Sequence, residues 1–329
     1  MQVHNAVSDM TRKRLGMAHE SLQVPGVQMR SLNIQVLVGE DEDTKIQELR
    51  NMKARLCNYH TRLHISLSGF AKVDKVMDIL AEVSYRIYSL TLKNIAVRQI
   101  PAQWQIPAQC TNLQTLHISD CGKGLQTIEA LVDCDELVNV TLHMCTGLAD
   151  LKGLEGCTTL KALHLPGCSG LANLQGLKGC TALETLHIQM CTKLTDLQGL
   201  EGCTALETLS TSDTSWKHQV TLEGCTGLVN LQGLTSCTKL KTLRLPGCTG
   251  LTNLQCLHGR TALETLHLQR CTSLHTLNLQ GCTSLRTLNI DGCTSLDMFN
   301  LEGCTDLITY VDATGSIQQL RHAKKPGLG

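Results

Sequence analysis

Eighteen cysteines and thirteen histidines in 329 residues are the side chains of this chain with chemistry to offer: metal ligation, disulfide formation, thiol attack or proton transfer. Spacing decides among these. No Cys-x2-Cys pair occurs, and the closest two cysteines, Cys248 and Cys256, lie eight positions apart. Zinc-ribbon spacing is therefore absent. Cys57, His60 and His64 have a metal-like Cys-x2-His-x3-His spacing, yet no fourth ligand accompanies them. Nothing reads as a phosphate loop, a nucleophile elbow, an HExxH helix or a serine or cysteine beside a histidine in interpretable context. The chain is expected to be a non-enzyme with no catalytic residue, metal or cofactor.

From Cys110 onward the cysteines mark a rhythm instead. They fall at 110, 121, 134, 145, 157, 168, 180, 191 and 203, so segments of about 11 and 12 residues alternate in a unit of about 23. The shorter segment reads LxxLxLxxC, as in Leu183, Leu186, Ile188 and Cys191. Its L-x-L centre alternates with period two, which predicts a short strand with one buried face. The longer segment reads CTxLxxLxGLxG, as in Leu194, Leu197 and Leu200 with Gly199 and Gly202. Period three with glycines predicts a tight 3₁₀-like turn. Asp150, Asn173, Asp196, Asn230 and Asn253 precede its middle leucine, where their side chains can cap the turn's free N–H groups. One unit cannot bury its own leucines, so neighbours must stack on a shared core.

On these residues the chain resembles the leucine-rich repeat proteins, in particular the cysteine-containing subtype, which CTKLTD at 191–196 matches closely. The short second segment is more similar to the internalin type. Near the end, Cys271, Cys282, Cys293 and Cys304 are spaced by 11 and bracket LHTLNLQGC, LRTLNIDGC and LDMFNLEGC, similar to the variant with strands on both sides of the coil. The resemblance spans roughly 60–312. It implies an α/β solenoid with a parallel concave sheet, short 3₁₀, turn or strand-like convex segments and an α/β N-terminal cap.

In such a coil, cysteines of one column sit about 4.8 Å apart with parallel side chains, whereas a disulfide needs the two sulfurs turned toward each other. The cysteines are thus expected to be buried, reduced thiols. That implies an intracellular protein, cytoplasmic by default, with an organelle matrix or the nucleus open. Thr follows Cys in thirteen of the eighteen cases, which suggests a hydroxyl ladder bonded to turn backbone.

The ends depart from the rhythm. A strand is expected at 31–38, then a helix opened by Gly39, Glu40, Asp41, Glu42 and Asp43 and running to about Leu56, its acids complementing the helix dipole. Strands at 63–67 and 89–92 flank a helix at 73–85, with Val73, Val76, Met77 and Leu80 on one face. The expected division is an α/β cap with a basic arm at 1–60, a solenoid at 61–312 with two degenerate first repeats, and a short basic tail at 313–329. The rhythm also breaks once inside the array. Thr214 stands where a cysteine is due, and the strand starts at Leu206 and Leu240 are 34 apart. Either the coil slips phase or a half-turn carrying Trp216 bulges out, and insertions of this kind often map to a binding face.

Outward strand positions follow from the same register. The residue between the paired leucines is His117, Thr141, His164, His187, Ser210, Arg244 and His267, with Lys161, Glu184, Glu207, Lys241 and Glu264 beside it. This reads as a solvated polar ladder, with partner contact or pH sensing as its functional use. Stacked imidazoles would resist simultaneous protonation, and stacked parallel rings lack the outer partners a metal needs.

Composition, 42% hydrophobic and 18% charged, excludes a disordered chain. No run of about eighteen apolar residues is present, so no membrane span is expected, and residues 1–20 lack a signal-peptide core. Residues 110–312 hold 12 Lys and Arg against 19 Asp and Glu, while 1–109 hold 14 against 10. An acidic array with basic ends suits a basic protein partner. It disfavours nucleic acid except through Arg12, Lys13, Arg14 and the tail residues Arg321, Lys324 and Lys325. The expected function is a non-catalytic scaffold, adaptor or structural subunit, contacting its protein partner through Trp216, Arg244, Glu207, His117, His164, His187, His267, Glu184 and Glu264. Two alternatives stand beside it. One is the substrate-recognition subunit of a ubiquitin-ligase system, implied by the cysteine-containing resemblance, although no F-box helices are recognisable in 1–60. The other is a subunit of a ribonucleoprotein particle.

Overall fold

The computed structural model describes residues 30–37, 42–55, 61–94, 110–211 and 224–319. Alternating apolar residues at the start build β1 (Arg30–Leu37), β2 (Thr61–Ser68) and β3 (Ile87–Lys93), paired in parallel and in chain order. Two helices, α1 (Glu42–Arg55) and α2 (Val73–Ala81), make the connections. They bury Ile46 and Leu49 from the first, and Val76, Met77, Ile79 and Leu80 from the second. The acid at Glu42 does more than complement its own helix: its Oε1 accepts the backbone N–H groups of Ala71 and Lys72, at 2.9 and 2.5 Å, just before α2. α2 stops at Ala81, short of the expected Tyr85. Val83 turns inward and a 3₁₀ turn at Ser84–Arg86 feeds Ile87 into β3.

The 23-residue unit then takes over. β4 (Thr115–Ser119), β5 (Asn139–His143), β6 (Ala162–His164), β7 (Thr185–His187), β8 (Thr208–Ser210), β9 (Thr242–Arg244) and β10 (Thr265–His267) each pair in parallel with the strand before. Every L-x-L leucine or isoleucine points inward, and Leu116, Ile118, Leu163, Leu165, Leu186 and Ile188 are fully buried. The opposite side of the coil carries 3₁₀ turns at Glu129–Leu131, Lys152–Leu154, Gln175–Leu177, Gln232–Leu234 and Gln255–Leu257. The capping expectation holds residue by residue. Asp150, Asn173, Asp196, Asn230 and Asn253 each accept the N–H two positions on, at 2.7–3.2 Å. Coils press so closely here that a Cβ on Gly176 would stand 2.0 Å from the Leu151 carbonyl oxygen.

At the C-terminal end the period shortens and strands replace the 3₁₀ turns. β12 (Thr287–Asn289) and β14 (Thr309–Val311) continue the long sheet, while β11 (Thr276–Asn278) and β13 (Met298–Asn300) pair as a second, two-stranded parallel sheet. Sheets on both sides of the coil were expected from the 11-residue spacing. β15 (Ile317–Gln319) closes the long sheet by pairing antiparallel to β14.

The seventeen described cysteines are free thiols, and all but Cys256 and Cys304 are buried. Burial pushes the Cys157 thiol up to about 11 and those of Cys110 and Cys180 to about 12, so none of these three is a thiolate at neutral pH. The ladder expected from threonine hydroxyls is built mainly from sulfur. Cys168, Cys180, Cys191, Cys271, Cys282 and Cys293 each donate Sγ–H to a leucine carbonyl of the preceding coil at 3.0–3.4 Å. Thr305 does bond to the Thr283 carbonyl, at 3.5 Å. The thiol lies inside the stack, where a carbonyl left between coils needs a donor, while most of the following threonines face solvent.

The break at 206–240 is not a phase slip. β8 pairs β9 in the same register as its neighbours, Thr208 opposite Thr242. Cys225 reaches back to the Ile188 carbonyl at 2.9 Å, as Cys191 reaches Leu165. The additional residues of this 34-residue coil fall at 212–223, outside the described residues, and Trp216 is among them.

Candidate interaction surface

Register alone sets up the outward face of the long sheet. Pairing aligns His117, Thr141, His164, His187, Ser210, Arg244, His267 and Asn289 in one unbroken row across eight strands. The row holds every position expected from the sequence, and within it only His164 and His187 are histidines on adjacent strands. Their rings meet edge to face, with centroids 4.6 Å apart and planes at 87°, not as the parallel stack expected. A T-shaped contact lets one ring's positive edge meet the other's negative face.

His117 and His267 are both held below the ordinary imidazole value, chiefly by burial. Lys93 and His143 add to this at His117 against the opposing pull of Asp120, and Arg244 adds to it at His267. Burial, Lys93 and Arg244 thus take most of the part that the sequence assigned to neighbouring histidines, with His143 as the one histidine that shares it. A depressed imidazole binds its proton less readily folded than unfolded. The stability linked to these two is therefore complete above the unfolded value and is lost as pH falls from there through the lower folded value.

The neighbouring row carries formal charge of both signs. Lys161 lies 3.5 Å from Glu184 and Lys241 2.9 Å from Glu207. The Glu207 carboxylate, by hydrogen bond and by charge, and then Glu264 raise the Lys241 amine above its usual value. These pairs are exposed, so each adds little to stability. Arg244 is different. Among the described residues no carboxylate pairs with it, and its Nε is enclosed without an acceptor. The acidic excess of the array sits elsewhere: Glu129, Asp150 and Asp196 lie on the 3₁₀ or turn side, and Asp133 and Asp135 in the bends between. Net charge averaged over the coil therefore describes the other faces, not this one.

Toward the N-terminal end the same face turns aromatic. The Arg62 guanidinium sits 4.6 Å over the Tyr88 ring, His64 meets that ring edge-on at 5.5 Å, and Tyr88 hydroxyl donates to Gln114. His64 is thus a packing partner of Tyr88, while Cys57 and His60 lie outside the described residues, as do Arg12, Lys13 and Arg14 of the arm and Arg321, Lys324 and Lys325 of the tail. Among the described residues no three His, Cys, Asp or Glu side chains gather as a metal site, and no helix is long and apolar enough to cross a membrane. Sequence reasoning missed Lys93, Asp120 and His143 around His117, with His143 Nδ1 3.6 Å from Asp120. They stand one or two positions past the L-x-L core, where the repeat imposes no residue type. It also missed Arg260, which stands twelve positions after Cys248, where the next cysteine is due.

Residues 226–321 match the family model described as the leucine-rich repeat domain of the endo-beta-N-acetylglucosaminidase EndoS. No curated protein matches the chain in sequence. Among solved structures it is similar to an internalin, InlF, from Listeria monocytogenes at 16% identity and a TM-score of 0.35, covering 73% of this chain and 79% of that one. The leucine-rich repeat domain of the type III effector XopL is similar at 18% identity and a TM-score of 0.42, over 79% and 90%. A plant peptide hormone receptor, RGFR1 in complex with RGF2, is similar at 16% and 0.41, over 85% of this chain and 53% of the receptor.

Proposed function

We propose that this leucine-rich repeat protein is a non-catalytic scaffold or adaptor that presents the outward face of its long sheet to a protein partner. The observation that carries the reading is the single polar row from His117 to His267, half-buried but for the buried Ser210, on a sheet held rigid by leucines on its other side. A rigid face costs little ordering entropy on binding. Arg244 is its natural anchor, since arginine is enriched among residues that dominate binding energy. Glu207, Glu184 and Glu264 border it, and Trp216, on the lengthened coil that begins beside Ser210, is the proposed flanking contact.

Affinity capture from lysate with mass spectrometry tests this. The wild type should retain a stoichiometric protein that Arg244→Glu loses, whereas Glu155→Lys, an exposed position away from the sheet, should retain it. Loss in both variants or neither would remove the sheet face from the account. A cullin-type scaffold or nuclease-sensitive RNA in the capture would instead favour the ubiquitin-ligase or ribonucleoprotein role.

We place the protein in a reducing compartment, because its thiols serve as donors between coils and a disulfide would withdraw two of them. Denaturation midpoints measured with and without reductant should then coincide. A large loss of stability on reduction would overturn the assignment.

A further inference from the structure

We propose that the open edge of the second sheet is a docking site for a basic, apolar segment of a partner protein, which adds as a strand beside β13. It lies at the C-terminal end of the coil, apart from the outward face of the long sheet, and either site can fail without the other.

The two sheets end differently. β15 pairs with β14 and covers the last edge of the long sheet, whereas β13 pairs among the described residues only with β11. Its even positions face that neighbour: Met298 N–H donates to the His275 carbonyl, and the Asn300 and Glu302 carbonyls accept from Leu279 and Gly281. The N–H and C=O of Phe299 therefore point to the other side, where no described strand follows. Side chains mark the same opening. Leu277, the register mate of Phe299, is 1% exposed, but Phe299 is 50% exposed. Leu274, Leu279, Cys282 and Leu288 are buried one coil earlier, while their counterparts Leu296, Leu301, Cys304 and Tyr310 are only partly so. The Phe299 and Tyr310 rings lean together across this end, with centroids 6.1 Å apart. The sequence departs from the repeat at the same strand, where Met298 and Phe299 stand opposite Thr276 and Leu277. Met298 is 67% exposed. An edge with bare backbone groups and exposed Met and Phe is what strand addition uses and what free surfaces avoid.

Charge selects the occupant. Residues 287–320 hold five acids and no lysine or arginine. Asp297, Glu302 and Asp306 are exposed around the open edge. Among the described residues none of the three meets a basic side chain, and Glu302 Oε2 accepts instead from the Gln280 amide at 3.0 Å. A second copy of this chain on the same face would set these acids against themselves, and a nucleic acid or an anionic lipid surface would meet the same repulsion. A basic segment is attracted. Laid beside β13, it returns hydrogen bonds to Phe299 and covers Phe299 and Leu301 with apolar side chains two positions apart. Its lysines or arginines then fall near Asp297 at one end and near Glu302 and Asp306 at the other.

The probe is a fluorescein-labelled peptide, Arg-Thr-Val-Thr-Val-Arg-Arg, followed by anisotropy against the full chain in fixed salt. It should bind saturably, and the same peptide with glutamate in place of arginine should bind at least about tenfold more weakly. The double variant Asp297→Lys/Glu302→Lys should weaken the basic peptide by about tenfold or more. Phe299→Ser should weaken it as well, and both variants should melt near the wild-type temperature. Adding peptide to the wild type should slow hydrogen exchange at the Phe299 amide, a readout that needs no variant to fold. Equal binding of the two peptides, undiminished binding in either variant, or an unmoved Phe299 amide would each overturn the proposal. So would a Phe299 amide already protected in the free monomer, which would mean that the chain covers its own edge. A dimer in sedimentation that Phe299→Ser dissolves would make a second copy the occupant and overturn it too. Arg244→Glu should leave peptide binding intact, so loss of lysate capture in that variant bears on the scaffold reading alone. Peptide binding lost with Arg244 would move the site to the long sheet and remove it from β13.

Discussion

Leu186→Ala will lower the free energy of unfolding by about 2–5 kcal/mol, and Thr185→Ala, one position away, will change it by no more than about 0.5 kcal/mol. The two residues share β7 and differ only in which side of the sheet they face. Leu186 is fully buried and stands in register between Leu163 and Leu209, so truncation opens a void against two coils that are themselves fixed by further coils. Such a site collapses poorly, which places the cost toward the upper part of the range. Thr185 looks outward and is only half-buried. Urea titrations of the two variants measure both numbers, and equal destabilisation would mean that the in-and-out phase of the strands is wrong.

Arg260→Ala will cost about 2–4 kcal/mol, whereas Arg260→Cys will recover at least half of that loss. The guanidinium bonds three carbonyls at once: Nε to Cys256 at 2.8 Å, Nη1 to Cys237 at 3.0 Å and Nη2 to Leu234 at 2.6 Å. Alanine removes three bonds from a charged donor at a half-buried site, while the Leu234 and Cys237 carbonyls keep the N–H groups of Cys237 and Leu240, so the cost is that of the lost bonds, about 1 kcal/mol each. Cysteine restores the donor used elsewhere in the column, where Cys237 and Cys282 reach the carbonyls of Leu200 and Leu257. Identical stabilities for the Ala and Cys variants would show that thiol donation between coils adds nothing measurable.

The coil itself was legible because its signal is repeated. A leucine misread in one unit is corrected by the same position in the next, and the period of 23 fixes strand register without any knowledge of side-chain geometry. The Asp or Asn before each turn was readable for the same reason. Arg260 was harder, since it occurs once and its role depends on a three-way reach that spacing does not encode. The helix end at Ala81 depended on Val83 and Ile87 turning inward against the sheet, a tertiary demand that overrides a helical pattern. On the outward face the row positions followed from register, but the edge-to-face contact of His164 with His187 did not. Ring orientation is set by local packing, and the alternation of leucines says nothing about it. Charge was least legible, because a count along the chain adds together faces that the coil keeps apart.

Because the strands of the long sheet follow one another in chain order as far as β10, each coil is held chiefly by the two beside it. Pulled from its ends, an array of this kind pays out contour one coil after another. An ordinary 23-residue coil yields about 75 Å when drawn straight, and the 34-residue coil between β8 and β9 about 110 Å. The lengthened coil is thus a single long link in a chain of otherwise matched ones, and under tension it would give the most slack at the place where the sheet itself shows no seam.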